Sequence, residues 1–364
     1  MIIIFLLSLL SDDNNLYLLD KSFSLIPIEE EFQFLYSKNG IQMTYGLRDS
    51  QNLYEFYRIK IRTPLFSRMF FEYNLNKEND YEFKTEEHLF ELRWIPEEKS
   101  DIPLSFSFLV SPQSSQNKKY AGFGIGYWKN IKNNHFLNIT LHEFGNSFNR
   151  VPVNIELSGI LYGDNADLYY KYYKTIPGKK NIFENGEQIG LRESGGTGLT
   201  NVIFYRFFSW ISPGIRLNYS EKDSLYIVLP EDTAIYKTHI KDLFSEPFIK
   251  TKIFERSSFY IGFPVSWKHI KNDTLDYKRK YLGLNFLYTY SLFHFVDLTL
   301  GIQKSWRNLN EQKNSETRGV AGFEFKINQT TFITFRQGIE LDFPLPGELK
   351  GYDNHTYLLF NHCF

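Results

Sequence analysis

The chain holds a single cysteine, Cys363, and only three methionines among 364 residues. A lone cysteine excludes an intrachain disulfide and any cysteine-built metal site. The eight histidines are scattered, and none forms a metal-ligating pair such as His-Glu-x-x-His. Lys and Arg number 41 against 42 Asp and Glu, so the basic excess of a nucleic-acid surface is missing. The main apolar run, Ile2 to Leu10, is too short to cross a bilayer as a helix. No stretch sustains a helical apolar period. Disulfide scaffold, thiolate metal site, nucleic-acid binder and helical membrane protein are all excluded.

Aromatic residues are abundant, with 35 Phe and 25 Tyr, and apolar residues recur at every second position. Tyr57, Ile59 and Ile61 alternate with Arg58, Lys60 and Arg62; Phe90, Leu92 and Trp94 alternate with Glu91 and Arg93. Phe106 and Phe108 alternate with Ser105 and Ser107, and Phe123 and Ile125 with Gly122, Gly124 and Gly126. The same period runs through Phe259 to Trp267, Leu282 to Tyr290, Val296 to Ile302, Ala321 to Ile327 and Ile333 to Leu341. A period of two is the mark of half-buried strands. Near the start, Phe32, Phe34 and Tyr36 lead into Asn39-Gly40, a strong hairpin signal.

Alternation suits a soluble sandwich as well as a membrane barrel. Two features favour the barrel. The apolar faces carry Trp94, Tyr127, Trp267 and Tyr290 near strand ends, as an interface belt requires. The opposite faces mix Gly, Ser and Thr with charge, which suits a wetted lumen. Closure also removes the exposed edges that so many hairpins would leave. The sequence therefore predicts an all-β, closed, antiparallel up-and-down transmembrane β-barrel of about 16 strands (14–18).

The terminal stretch Tyr357 to Phe364 places Leu358, Phe360 and Phe364 on one face, with His362 between them. It resembles the C-terminal strand of bacterial outer-membrane β-barrels, where a terminal Phe and alternate apolar residues form the assembly signal. That resemblance implies the bacterial outer membrane, contact with its lipid, and the barrel assembly machinery as a partner during biogenesis. No basic residue precedes the apolar core of residues 1–14, which are expected to be a truncated signal peptide or else a short hydrophobic strand, and residues 15–364 a single barrel domain.

Six polar stretches are candidate long loops: 76–81, 112–119, 177–200, 230–245, 269–280 and 307–317. The longest runs from Pro177 to Thr200, as an external loop or a constriction folded into the lumen. Its Gly195-Gly196-Thr197-Gly198 lacks the Lys-Ser or Lys-Thr of a phosphate loop. Together with Leu229-Pro230-Glu231-Asp232 it is faintly similar to phenol-degradation-pathway and hydrophobic-substrate transporter barrels. That likeness covers about residues 195 to 305 and implies transport.

The candidate lumen-facing charges are Arg58, Lys60, Arg62, Glu91, Arg93, Arg318, Glu324, Lys326, Arg336 and Glu340. They form either a stripe that favours anions, or ladders neutralised by Glu55, Glu72 and Glu91. His88 beside Glu86 and Glu87, and His142 beside Glu143, are the nearest approach to catalytic residues, and neither adjoins a Ser at alternate spacing. No catalytic, cofactor or metal residue is assigned. The function expected is a porin-like channel or transporter for small or hydrophobic solutes. The alternatives are a non-transporting barrel that binds a partner through its loops, and a lipid-modifying enzyme.

Overall fold

The computed structural model describes residues 39–49, 54–79, 84–96, 104–111, 120–130, 133–142, 148–150, 152–184, 187–206, 208–228, 235–272, 276–309, 312–328, 331–340 and 354–363. The strand expected over Phe32 to Tyr36, the signal segment and Phe364 lie outside these residues. The first quarter of the wall is β1 (Gly40–Asp49), β2 (Tyr54–Phe66), β3 (Met69–Asn79), β4 (Lys84–Trp94) and β5 (Leu104–Ser111). Next come β6 (Tyr120–Asn130), β7 (Asn133–His142), β8 (Phe148–Arg150), β9 (Val153–Tyr162) and β10 (Ala166–Glu184). The long strands β11 (Glu187–Tyr205), β12 (Ile211–Val228) and β13 (Ile235–Phe254) follow, then β14 (Ser257–Gly262) and β15 (Val265–Asn272). The wall ends with β16 (Asp276–Phe293), β17 (Val296–Leu309), β18 (Gln312–Lys326), β19 (Thr331–Glu340) and β20 (Asn354–Cys363).

Every neighbouring pair is antiparallel, and the sheet closes on itself. β20 pairs with β1 from Cys363 opposite Gly40 to Asn354 opposite Asp49. Two wall positions are each shared by two segments: β8 and β9 both pair with β10, and β14 and β15 both lie between β13 and β16. Pro152 and Pro264 interrupt these positions, since proline has no N–H for the ladder. Backbone bonds continue beside the second break, from Phe263 N to Pro247 O at 2.9 Å and from Gly283 N to Pro264 O at 2.7 Å. Among the described residues, the twenty segments thus make eighteen staves, the upper end of the expected range and an even number.

Which face is outside follows from exposure. On β16, Leu282 is 50% exposed and Phe286 38%, whereas Tyr281 is 2% and Asn285 1% exposed. The cross-strand registers carry this division around the barrel. Met43, Tyr57, Leu92, Phe106, Phe108, Phe123, Leu157, Leu243, Leu300, Phe325 and Leu358 all stand outward. Large apolar side chains on the outer face of a closed barrel are a lipid-facing wall.

The polar stretches read as loops are mostly strand. Residues 177–200 form the outer part of the β10–β11 hairpin, and most of 230–245, 269–280 and 307–317 is strand as well. Asn76 to Asn79 likewise end β3, while 112–119 lie outside the described residues. Strands that rise above the membrane meet water on both faces, so they lose the apolar alternation while keeping the backbone ladder. Gly195 and Gly196 sit within β11, not in a turn before it. A Cβ on Gly196 would come 2.5 Å from the Glu221 carbonyl oxygen of β12, so the close approach there requires glycine. Pro177 occupies a bulge between Thr175 and Gly178, where the ladder is already shifted.

The interior carries its own apolar layer. Phe56, Leu287, Val320, Phe332, Tyr357 and Leu359 form one buried cluster, and Val202 and Phe248 with Tyr169 and Phe204 form a second. Tyr260 packs against both.

Candidate functional site

The interior is the candidate site, and its charged part begins at β2. Arg58, Lys60 and Arg62 alternate with outward Tyr57, Ile59 and Ile61, so all three face inward. Across the ladder, Arg62 stands opposite Glu72, and Glu72 opposite Glu91. Arg62 donates from Nε and Nη2 to Glu72 Oε2 at 2.9 and 2.7 Å, and Asn74 Nδ2 donates to the other carboxylate oxygen at 3.0 Å. Arg93 donates in the same way to Glu91 Oε1 at 2.9 and 2.6 Å. Arg58 lies over the Phe56 ring with its guanidinium carbon 5.3 Å from the centroid. Glu55 does not join this ladder. It stands outward and accepts a 3.3 Å hydrogen bond from Tyr45 OH.

Beside β4 the inward positions are small: Ser105 and Ser107 on β5, Gly124 and Gly126 on β6, all buried. Long charged side chains from the flanking strands cover that floor, with Arg93 on one side and the Glu156–Lys171 pair, 2.7 Å apart, on the other. The alternation of Gly and Ser with aromatics, legible in the sequence, is what makes room for them.

The second group lies on β18 and β19. Arg318 is 1% exposed and stands between Gln303 and Glu340 in the ladder; the backbone register alone places Glu340. Glu324 accepts from Thr334 Oγ1 at 3.1 Å and lies 3.5 Å from Lys326 Nζ, which also contacts Asp297. Arg336 is buried between Gly322 and Tyr357. In the ladder β20 and β1 stand between the two charged groups and contribute Gln42, Asn361, Tyr357 and Leu359, with Gln42 Nε2 donating to Asn361 Oδ1 at 3.3 Å.

A third group was not legible in the sequence. Arg216 of β12 stands directly opposite Glu246 of β13. Glu246 Oε1 accepts from Tyr260 OH at 2.9 Å and Asn285 Nδ2 at 3.0 Å. Glu246 lies in a Ser-Glu-Pro stretch beside residues read as loop, so its inward position had no sequence signal. The outward alternation of Ile215 and Leu217 was the only pointer to Arg216.

Replacing Arg62 by Met removes two charge-assisted hydrogen bonds from the Glu72 carboxylate, which keeps its bond from Asn74 and the attraction of Arg93. The expected cost is about 1–3 kcal/mol, the penalty for stranding a largely buried charge-assisted partner. Urea unfolding in liposomes checks it, and Arg62→Met with Glu72→Met is expected to recover part of the loss. A double variant whose loss equals the sum of the Arg62→Met and Glu72→Met losses would mean the pair is not coupled.

His88 faces outward, with Tyr73 OH 2.9 Å from its Nδ1; the His142 side chain lies outside the described residues. Among the described residues, no group of three His, Cys, Asp or Glu is placed to hold a metal ion.

No family model and no curated protein matches the sequence. Solved structures similar to the chain include CdiB from Acinetobacter baumannii, at 10% identity and a TM-score of 0.44 over 89% of this chain. This chain spans 60% of the length of CdiB. A bacterial polysaccharide outer membrane secretin aligns over 90% of this chain and 99% of its own, with 10% identity and a TM-score of 0.48. The CymD monoaromatic hydrocarbon channel aligns over 94% and 92%, with 10% identity and a TM-score of 0.41. These are bacterial outer-membrane β-barrels. The closed wall, apolar outer face and paired antiparallel staves give this chain the fold of a transmembrane β-barrel by its own geometry.

Proposed function

We propose that the protein is a non-enzymatic channel of the outer membrane for small, largely apolar solutes, with a lumen narrowed by side chains. The supporting observation is the inward-facing apolar layer, where Tyr260 joins the cluster around Phe248 to the cluster around Leu287 and Phe332. A purely water-filled pore has a polar interior, so inward Val, Leu and Phe at this density favour a passage that solvates apolar groups. The pairing of Arg62 with Glu72 and Arg93 with Glu91 also weakens the reading of a cationic, anion-selecting stripe. The inward charges, including Arg318 and Arg336, then border and orient the passage. The C-terminal strand supports the assembly-signal reading through Leu358 and Phe360, which face outward next to the closing seam.

Liposome swelling tests the reading. Proteoliposomes are challenged with a phenyl glucoside and, separately, with glucose. Faster entry of the larger aryl compound is the expected result. Faster entry of glucose, or entry of neither, would remove the apolar-solute reading and leave a polar or closed barrel.

A further inference from the structure

Outward-facing rows of the wall can be followed from strand to strand through the ladder, and two adjacent rows differ sharply in chemistry. The lower row is Tyr172, Leu199, Tyr219, Leu243 and Trp267, each directly opposite the next. Tyrosine and tryptophan at the edge of an apolar wall mark the boundary between hydrocarbon and water. The next outward row, two residues higher, is Lys174, Thr197, Glu221, Lys241, His269 and Lys278. Above that stand Asp223, His239, Lys271 and Asp276. Two residues along a strand are about 7 Å, so the ionic rows begin within one side-chain length of the aromatic row.

The ionic rows enclose a hollow of about 690 Å³ on β10 to β13 and β15. Gly195, Gly196 and Thr197 line it beside the exposed Lys174, Lys237 and Lys271. Its acids are largely engaged within the wall. His239 Nδ1 lies 2.6 Å from Asp223 Oδ1, and its Nε2 lies 3.3 Å from Glu221 Oε1. Hydrogen bonds from Tyr219 OH at 2.5 Å and from Lys241 hold the Glu221 carboxyl below its ordinary range. Glu193 is the remaining acid of the hollow. Three lysines therefore face a concave surface whose carboxylates largely have cationic or hydroxyl partners. Directly below it lie exposed Leu243, Ile249, Phe263 and Val265.

We propose that this hollow holds the phosphate-bearing head group of a membrane lipid, with the acyl chains lying on the apolar wall beneath. Lys174, Lys237 and Lys271 supply point charges for phosphate, and Thr197 sets the depth of the pocket. A soluble anion would meet the same lysines, but it would gain nothing from the aromatic row and the apolar wall below. The geometry thus favours a lipid over a free phosphate.

The test is native mass spectrometry of the intact barrel in detergent, titrated with diphosphoryl lipid A. Saturable binding is expected, with millimolar inorganic phosphate failing to displace it. Lys174→Glu with Lys237→Glu and Lys271→Glu is expected to weaken binding about a hundredfold, from roughly fivefold per lysine. Heat-modifiable migration reports whether the triple variant still forms a barrel. If it does not, Thr197→Trp replaces it, filling the hollow without changing a charge, and a loss of at least tenfold is expected. Lipid binding within twofold of the parent in the folded variant would overturn the proposal. So would full displacement by inorganic phosphate, which would make the hollow a site for free anions.

Discussion

Replacing Phe248 by Ala is expected to lower the stability of the barrel by about 3–5 kcal/mol and to speed entry of the aryl glucoside. Phe248 is buried at 3% exposure on the inner face of β13. Its ring meets Phe204 edge-on at 5.5 Å and stacks on Tyr260 at 5.4 Å. A Cβ on Gly214 would lie 2.3 Å from the Phe248 ring, so the neighbouring strand is shaped around it. Truncation leaves a void that these partners fill only in part, and the void opens on the lumen. The two readouts separate two roles. Lost stability with unchanged entry would make Phe248 a packing residue with no part in the passage. Faster entry of aryl glucoside and glucose alike would make it a steric barrier without chemical preference.

Leu300→Arg is expected to cost about 2–4 kcal/mol in liposomes, the penalty for a basic residue near the middle of a lipid-facing strand. Leu300 is 58% exposed on β17, midway along the outward series that begins at Val296 and reaches Lys304. It is opposite Tyr288 and Ala321, so few packing contacts are lost on substitution. On a surface facing water, the same change would be nearly neutral. Lys304→Ala, two outward positions higher on the same strand, removes one hydroxyl partner, Thr317 Oγ1 at 2.6 Å, and is expected to cost under about 1 kcal/mol. Urea midpoints with the barrel in liposomes check both. A Leu300→Arg variant as stable as its parent would mean that this face does not meet lipid.

The sequence showed the wall more clearly than the interior. Outward residues such as Phe106, Phe108 and Phe123 alternate with Ser and Gly, because one face meets hydrocarbon and the other does not. The inward charges of β2 and β4 follow from the same parity, so Arg62 and Arg93 were legible by counting. Their partners were harder: Glu72 is fixed by the register, while Glu55, nearer to Arg58 in sequence, belongs to the other face. Glu246 and its contacts were hidden because Pro247 follows it and polar residues precede it. The tall hairpins were misread as loops for a related reason. Above the membrane no face has to be apolar, so strand and loop compositions converge there. The inner apolar clusters had no one-dimensional signal either. Phe56, Leu287 and Phe332 meet only because the sheet closes.

The closing seam also bears on how the chain reaches this state. Gln42 and Asn361, hydrogen-bonded across β1 and β20, are 319 positions apart in the sequence. Nearly every other ladder joins strands that are close in sequence, so hairpins can form early with little loop-closure entropy. The seam is the opposite case. Until β20 arrives, the growing sheet has two unpaired edges, each able to pair with another chain. The β1–β20 pairing has by far the largest sequence separation in the wall, and it removes both edges at once.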